Sequence, residues 1–292
     1  MKGRIIRGVG GNYFVYLEGK GLYMCRAKGI FRKRNIKPAV GDLVDIDITH
    51  EGDKEGNVTK IYPRKNAIIR PMAANVDQAV VLFAVHDPEP HHHLLNCFLI
   101  TMEKQGIPVV ICFNKMDLAG KEDQEKLIES YRHSGYEMKF LSARTKEGIR
   151  DFEDLLRGKT TIMAGPSGAG KSSLLNCVSP EKQMETGRIS EKIRRGRHTT
   201  RHAELIRIGP ETYVMDTPGF SSLYLEDMDK EELKAYFPEF APYEGNCRFL
   251  DCCHINEPDC AIKDALKEGM VSRLRYDNYR AFYEELRQRK KW

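Results

Sequence analysis

No stretch of the 292-residue sequence approaches the ~18 uninterrupted apolar residues that a membrane-spanning helix requires. The opening Met1-Lys2-Gly3-Arg4 leads into no apolar signal core. A cytoplasmic protein with no membrane partner is therefore expected. Acid is scarce at the start: residues 1–37 hold Lys2, Arg4, Arg7, Lys20, Arg26, Lys28, Arg32, Lys33, Arg34 and Lys37 against the single acid Glu18. A field of that sign favours a polyanion as partner, although a solvated basic face would have the same composition. The eight cysteines lack the even distribution of a disulfide framework. Cys25, Cys97, Cys112 and Cys177 stand singly in apolar surroundings, as core thiols of a reducing compartment would, while the other four crowd between 247 and 260, as a metal site would.

At 41% hydrophobic residues the chain can bury a full core, and its length suits two or three domains. The first seventy residues lack a convincing helix. Tyr13–Leu17 and Leu22–Ala27 read as a hairpin around Glu18-Gly19-Lys20-Gly21. Leu43, Val44, Ile46 and Ile48 mark a further strand, Glu51–Gly56 turns, and Val58–Tyr62 returns. Five short strands in this length predict a small closed β-barrel of the oligonucleotide-binding type over residues 1–70. Tyr13, Phe14, Tyr16, Tyr23 and Phe31, interleaved with cations, could stack bases, though several must instead be core.

After Pro71 strand and helix patterns alternate, predicting parallel α/β architecture. Within it Gly165-Pro166-Ser167-Gly168-Ala169-Gly170-Lys171-Ser172 fits the phosphate-loop pattern at every fixed position, with Ser173 following. The apolar run Thr160–Ala164 before it and the helical pattern after it are the context that this motif needs. Glycines let backbone N–H groups curl around phosphates, and the helix N-terminus adds its positive end. Lys171 would reach the β- and γ-phosphates and Ser172 would hold Mg²⁺. Asn114-Lys115-Met116-Asp117 follows the apolar strand Val109–Phe113. Its carboxylate matches the paired N1–H and N–H₂ donors of guanine, which adenine lacks, so GTP and GDP are the expected ligands. Ser142-Ala143-Arg144 resembles the loop that supports guanine O6, and Asp216-Thr217-Pro218-Gly219 is a D-x-x-G motif, with Asp216 near Mg²⁺ and the Gly219 N–H on the γ-phosphate.

The order is reversed relative to ordinary GTPases, because the base-reading motif precedes the phosphate loop. An accidental match has no reason to supply every piece, so a circular permutation is expected over residues 71–222. This permuted order, with a barrel before it and a cysteine cluster behind it, resembles the bacterial small ribosomal subunit biogenesis GTPases, the RsgA/YloQ family, along essentially the whole chain. The resemblance implies binding to the small ribosomal subunit and its ribosomal RNA, GTP hydrolysis stimulated by that subunit, and a role late in its maturation. A competing expectation is a GTP-controlled RNA-binding protein in which hydrolysis is incidental. A monomer is expected.

Glu191–Arg201 looks like the family's first switch segment, in which Thr199 or Thr200 would close onto Mg²⁺ and the γ-phosphate. Phe220 follows Gly219 where many GTPases carry the glutamine that orients water, so slow unaided hydrolysis is expected. His198 is the candidate replacement, since imidazole can orient or deprotonate water near neutral pH; a switch-loop residue touching RNA is the alternative.

In residues 223–292, a zinc-binding and mainly helical segment, Cys247-x₄-Cys252-x-His254-x₅-Cys260 supplies three thiolates and an imidazole. That is the donor set of a closed, structural zinc site. Cys253 rivals Cys252, and the family's spacing favours Cys252. His91-His92-His93 reads as a solvated loop rather than a metal site. Residues 261–292 have helical spacing, with Leu274, Tyr276, Tyr279, Phe282, Tyr283 and Leu286 as packing positions, and Arg287–Lys291 forms a basic end.

Overall fold

The computed structural model describes residues 1–29, 31, 36–68, 72–179, 204–216, 225 and 228–289. The chain forms two compact units, one of Met1–Ala79, Arg150–Ala164 and Ser172–Pro218, the other of Val80–Ile149, Gly165–Lys171 and Gly219–Trp292.

In the first unit β1 (Lys2–Val9), β2 (Asn12–Leu17), β3 (Gly21–Ala27), β4 (Leu43–His50) and β5 (Glu55–Ile61) close into a barrel in the order β1-β2-β3-β5-β4. β3 and β5 pair in parallel, and β1 closes the barrel against β4. The expected strands are present. The strand without a clear pattern in the sequence is β1, where a register shift between Ile5 and Arg7 breaks strict alternation, and both Ile5 and Ile6 are buried. Ile5, Val15, Leu17, Val44, Ile46 and Val58 fill the barrel, each contributing about 1.5–3 kcal/mol relative to an exposed side chain. Tyr23 and Phe31, offered as base-stacking residues, belong to this core.

The same unit contains α3 (Ile149–Leu156) from Arg150 onward, β11 (Thr160–Ala164), β12 (Leu205–Gly209) and β13 (Thr212–Asp216). β11 and β13 are parallel, and β12 and β13 form an antiparallel hairpin. The barrel meets this hairpin through three arginines. Arg7 lies 4.0 Å over the Phe14 ring and 3.8 Å from Glu204, with a β-bridge between Arg7 and Glu204. Arg207 lies 4.8 Å over Tyr16 and 3.1 Å from Glu18. Arg4 lies 4.7 Å over Tyr213, donates to Thr160 Oγ1 at 2.6 Å and stands 3.7 Å from Glu211. Phe14 and Tyr16, also offered as base-stacking residues, therefore carry the chain's own guanidinium groups. These ion pairs have exposed partners, so each is worth at most about 1 kcal/mol.

In the first unit β6 (Ala67–Ile68) and β7 (Ala73–Ala74) form a separate antiparallel pair and the sheet strands follow the order β11-β13-β12, while β8 (Gln78–Ala84, in the second unit from Val80), β9 (Val109–Asn114) and β10 (Glu137–Phe140) follow the order β10-β9-β8. β8, β9 and β11 are buried along their whole length, as strands covered on both faces are. The second unit adds α1 (His92–Lys104), α2 (Lys121–Tyr131), α5 (Ala261–Lys267) and α6 (Arg273–Gln288). The three histidines are not a solvated loop. His91 Nδ1 caps α1 by accepting from Leu94 N at 3.1 Å, His92 Nδ1 lies 3.0 Å from the Tyr131 hydroxyl, and the His93 ring stacks 4.3 Å from Phe282.

The packing positions expected on α6 are buried except Leu274, which is only partly so, and Arg275, absent from that expectation, is fully buried. Arg275 forms a two-pronged pair with Glu239, at 2.5 Å and 3.0 Å, and donates to Asn96 Oδ1 on α1. In the basic end, Arg287 faces Glu284 and Arg289 donates to the Leu225 carbonyl. Lys290 and Lys291 lie outside the described residues.

Candidate functional site

The phosphate loop, Gly165 to Gly170, joins β11 to α4 (Lys171–Val178). Two of its glycines are forced by close approach. A Cβ on Gly165 would lie 2.0 Å from the Leu82 carbonyl oxygen, and one on Gly170, at φ +91°, would lie 2.2 Å from Asn114 Nδ2. Ala169 is fully buried, while Ser167 and Gly168 are exposed. Lys171 Nζ arches back to the Gly165 and Pro166 carbonyls at 2.7 Å and 2.9 Å, which keeps the ammonium over the loop. Ser172 and Ser173 follow in the first turn of α4.

The base-reading motif begins at the last residue of β9. Asn114 is 1% exposed, and its amide donates to Ala169 O at 2.9 Å while its carbonyl oxygen accepts from Ala143 N at 3.1 Å. One side chain thus ties together the phosphate loop, the N-K-x-D turn and the Ser142-Ala143 loop. Lys115 adopts φ +67° and donates to the Asp87 carbonyl, so a residue that no motif marks also borders the site. Met116 opens a single 3₁₀ turn, and its N–H is held by Leu141 O at 3.1 Å.

Asp117 lies in that turn and accepts from Ser142 Oγ at 2.6 Å, with Arg144 at 3.6 Å from its other oxygen. The Ser142 hydrogen bond, helped by Arg144, holds the Asp117 carboxyl below the usual carboxylate range. The group is an ionised acceptor at neutral pH, as pairing with the two guanine donors requires. Asp216 ends β13, with its backbone paired to Met163. His198, Thr199, Thr200 and Gly219 lie outside the described residues, as does Phe220.

The cysteine cluster is closely assembled. One ligand atom each from Cys247, Cys252, His254 and Cys260 lies within 4.8 Å of the others. His254 Nδ1 is 3.6 Å from Cys247 Sγ and 3.4 Å from Cys260 Sγ, while its Nε2 is 2.9 Å from Glu244 Oε1. A carboxylate on the outer nitrogen leaves the inner one facing the thiols, which is the usual support of a metal-ligating histidine. Burial lowers the His254 pKa and pushes the Cys252 thiol up to about 12. The imidazole is thus kept in its ligating neutral form, whereas thiolates require a cation to displace their protons.

Cys253 lies outside the cluster; its thiol faces the Asp251 carbonyl at 3.7 Å. Glu257 accepts from the N–H groups of Cys253, Ile255 and Asn256, and Tyr276 and Tyr279 each donate to the loop's carbonyls at 2.7 Å. Three thiols plus one imidazole, with their ligand atoms within 4.8 Å of one another, are the four-donor set of a structural metal ion. Neither Glu244 nor Glu257 carries a spacing signal in the sequence.

A phosphate loop placed after, rather than before, a base-reading turn to which it is hydrogen-bonded defines a circularly permuted P-loop GTPase. Residues 61–226 match the RsgA GTPase family, and residues 2–58 match the RsgA N-terminal domain. The chain is 52% identical to the small ribosomal subunit biogenesis GTPase RsgA of Agathobacter rectalis and 47% identical to that of Alkaliphilus metalliredigens. Those alignments span 100% of this chain and 100% and 99% of the relatives. Among solved structures it is similar to YjeQ from Thermotoga maritima, with TM-score 0.83 and 36% identity over 99% of both chains. It is also similar to YloQ, a circularly permuted GTPase, with TM-score 0.79 and 38% identity over 100% of this chain and 96% of the other. The chain belongs to the RsgA GTPase family and is a GTP hydrolase. Among the described residues no helix is long and apolar enough to cross a membrane.

Proposed function

We propose that this GTP hydrolase acts in late maturation of the small ribosomal subunit, as a cytoplasmic monomer whose slow cycle is accelerated when it binds that subunit. The observation that carries the nucleotide half of this reading is the Asn114 bridge, which places the base-reading turn against the phosphate loop. The small-subunit half rests on relatives that bear the name small ribosomal subunit biogenesis GTPase. In this reading residues 1–70 form the RNA-binding barrel, 71–222 the permuted GTPase domain and 223–292 the zinc-binding domain.

Asn114, Lys115, Met116 and Asp117 hold the guanine edge, and Ser142 and Ala143 support it from beside. Gly165, Pro166, Ser167, Gly168, Ala169 and Gly170 wrap the phosphates, with Ser173 on the helix behind them. Lys171 leaves its carbonyl partners for the β- and γ-phosphates, where its charge offsets that developing in the transition state. Mg²⁺, held by Ser172, by Thr199 or Thr200 and through water by Asp216, would supply further neutralisation of the phosphates. Gly219 donates its N–H to the γ-phosphate, and His198 orients the attacking water once the subunit has fixed the switch. Zinc on Cys247, Cys252, His254 and Cys260 would fasten the C-terminal loops without taking part in the reaction.

Turnover measured with and without purified small subunits tests the reading. Stimulation is expected, and its absence would favour an RNA binder in which hydrolysis is incidental. His198→Ala should keep GTP affinity and lose most of the stimulated rate; full stimulated turnover in that variant would remove His198 from the site.

A further inference from the structure

The three-arginine seam is more specific than attachment of a barrel to its neighbour requires. Among the described residues β12 is the last strand in the sheet order and pairs there only with β13, so the other edge would otherwise have no described strand against it. The Arg7–Glu204 bridge gives that edge a partner from the barrel. Contacts to the hairpin come from both directions: Arg7 and Arg4 reach from β1, and Arg207 reaches back from β12 to Tyr16 and Glu18. Arg4, Arg7 and Arg207 each keep a buried Nε without a hydrogen-bond partner among the described residues, and each guanidinium lies over an aromatic ring.

The hairpin held this way leads straight to the reaction. β13 ends at Asp216, and Glu204 follows Thr200 by four residues (204 minus 200) in the sequence. Strand register is discrete, because a shift of one residue reverses every side chain, so a hairpin gripped at several points presents Asp216 in one setting only. The gripping pairs are half-exposed and individually weak, which allows them to tighten or loosen as the barrel is engaged.

We propose that Arg7 and Arg207 are positioning residues for hydrolysis: the seam that they form with Phe14, Tyr16, Glu18 and Glu204 transmits engagement of the barrel by ribosomal RNA to the β12–β13 hairpin. This rests on the small-subunit reading above. The two residues touch neither nucleotide nor RNA in this scheme; they act through the hairpin.

The test is steady-state GTP hydrolysis with purified small subunits, using the full-length chain, Arg207→Ala, Glu18→Ala and the charge swap Glu18→Arg with Arg207→Glu. Each single variant should lose subunit-stimulated kcat by about tenfold, a usual size for coupling between sites. The subunit-free rate should fall far less than the stimulated one, the KM for GTP and the Kd for the subunit should stay as in the unaltered protein, and the swap should recover most of the loss. A variant that merely unfolded would lose all of these together, and failure of the swap to recover would overturn the proposal. Full stimulation in both single variants, or a loss that follows weakened subunit binding, would overturn it as well. An unaltered protein that subunits do not stimulate at all would instead overturn the functional reading on which the proposal stands.

Discussion

The Asn114 amide donates to the carbonyl of Ala169 at 2.9 Å, across 55 residues of sequence. Its other end accepts from Ala143 N. Asn114→Ala removes both bonds and strands the buried Ala169 carbonyl, at about 1–3 kcal/mol. The affinity for GTP and for GDP should fall together by roughly 10–100-fold, with guanine still preferred because Asp117 remains. Titration with fluorescent GTP and GDP analogues checks this. Loss of GTP alone would show that Asn114 serves the γ-phosphate rather than the cradle.

Asp117 should decide which base is bound. Asp117→Asn exchanges an acceptor for a donor, so xanthosine triphosphate should replace GTP as the preferred ligand in competition experiments. The pH dependence follows from Ser142, whose hydroxyl holds the Asp117 carboxyl below its ordinary value. A depressed carboxyl stays ionised as pH falls through the ordinary range, and its binding contribution is lost only below that range. Ser142→Ala should therefore move the acidic loss of GTP affinity to higher pH. An unmoved acid limb would show that Ser142 does not tune this carboxylate.

Cys252 and Cys253 are adjacent in the chain, yet only the first shares the cluster with Cys247, His254 and Cys260. Cys252→Ser should lower bound zinc well below one per chain and reduce the melting temperature, because a closed site contributes folding energy. Cys253→Ser should retain the metal. Elemental analysis of the purified variants, with thermal melts before and after chelation, distinguishes the two; zinc retained by Cys252→Ser would reassign the fourth ligand.

Much of this was legible because the chemistry is carried by short contiguous motifs. The Gly165–Ser172 loop and the Asn114–Asp117 turn each state their own backbone needs, and the cluster 247–260 concentrates its donors within a few residues. What could not be read depends on pairing between distant segments. Nothing near Arg7 indicates that Glu204 will lie beside it, so the barrel's cations and aromatics suggested nucleic acid where several of them meet one another. The His91–His93 run failed similarly: its partners Tyr131 and Phe282 lie far along the chain, and polarity alone suggested solvent. Arg275 occupies a buried helix position where hydrophobic periodicity allows only apolar residues, and its counter-ion is 36 residues away.

That buried pair supports a final prediction about stability. Arg275 and Glu239 are 0% and 1% exposed, and two hydrogen bonds join them. Removing one partner leaves the other charged and buried, so Glu239→Gln should destabilise by about 3–5 kcal/mol. A buried ion pair is weak evidence of net stabilisation, however, because desolvation offsets most of its attraction. Replacing both members, Glu239→Leu with Arg275→Met, should therefore cost less than Glu239→Gln alone, despite leaving Asn96 Oδ1 without the Arg275 donor. Urea denaturation of the two variants beside the unaltered protein measures the difference as a shift in midpoint. A double variant that loses as much as or more than the single would show that the ion pair itself, and not the avoidance of a lone charge, holds Glu239 and α6 together.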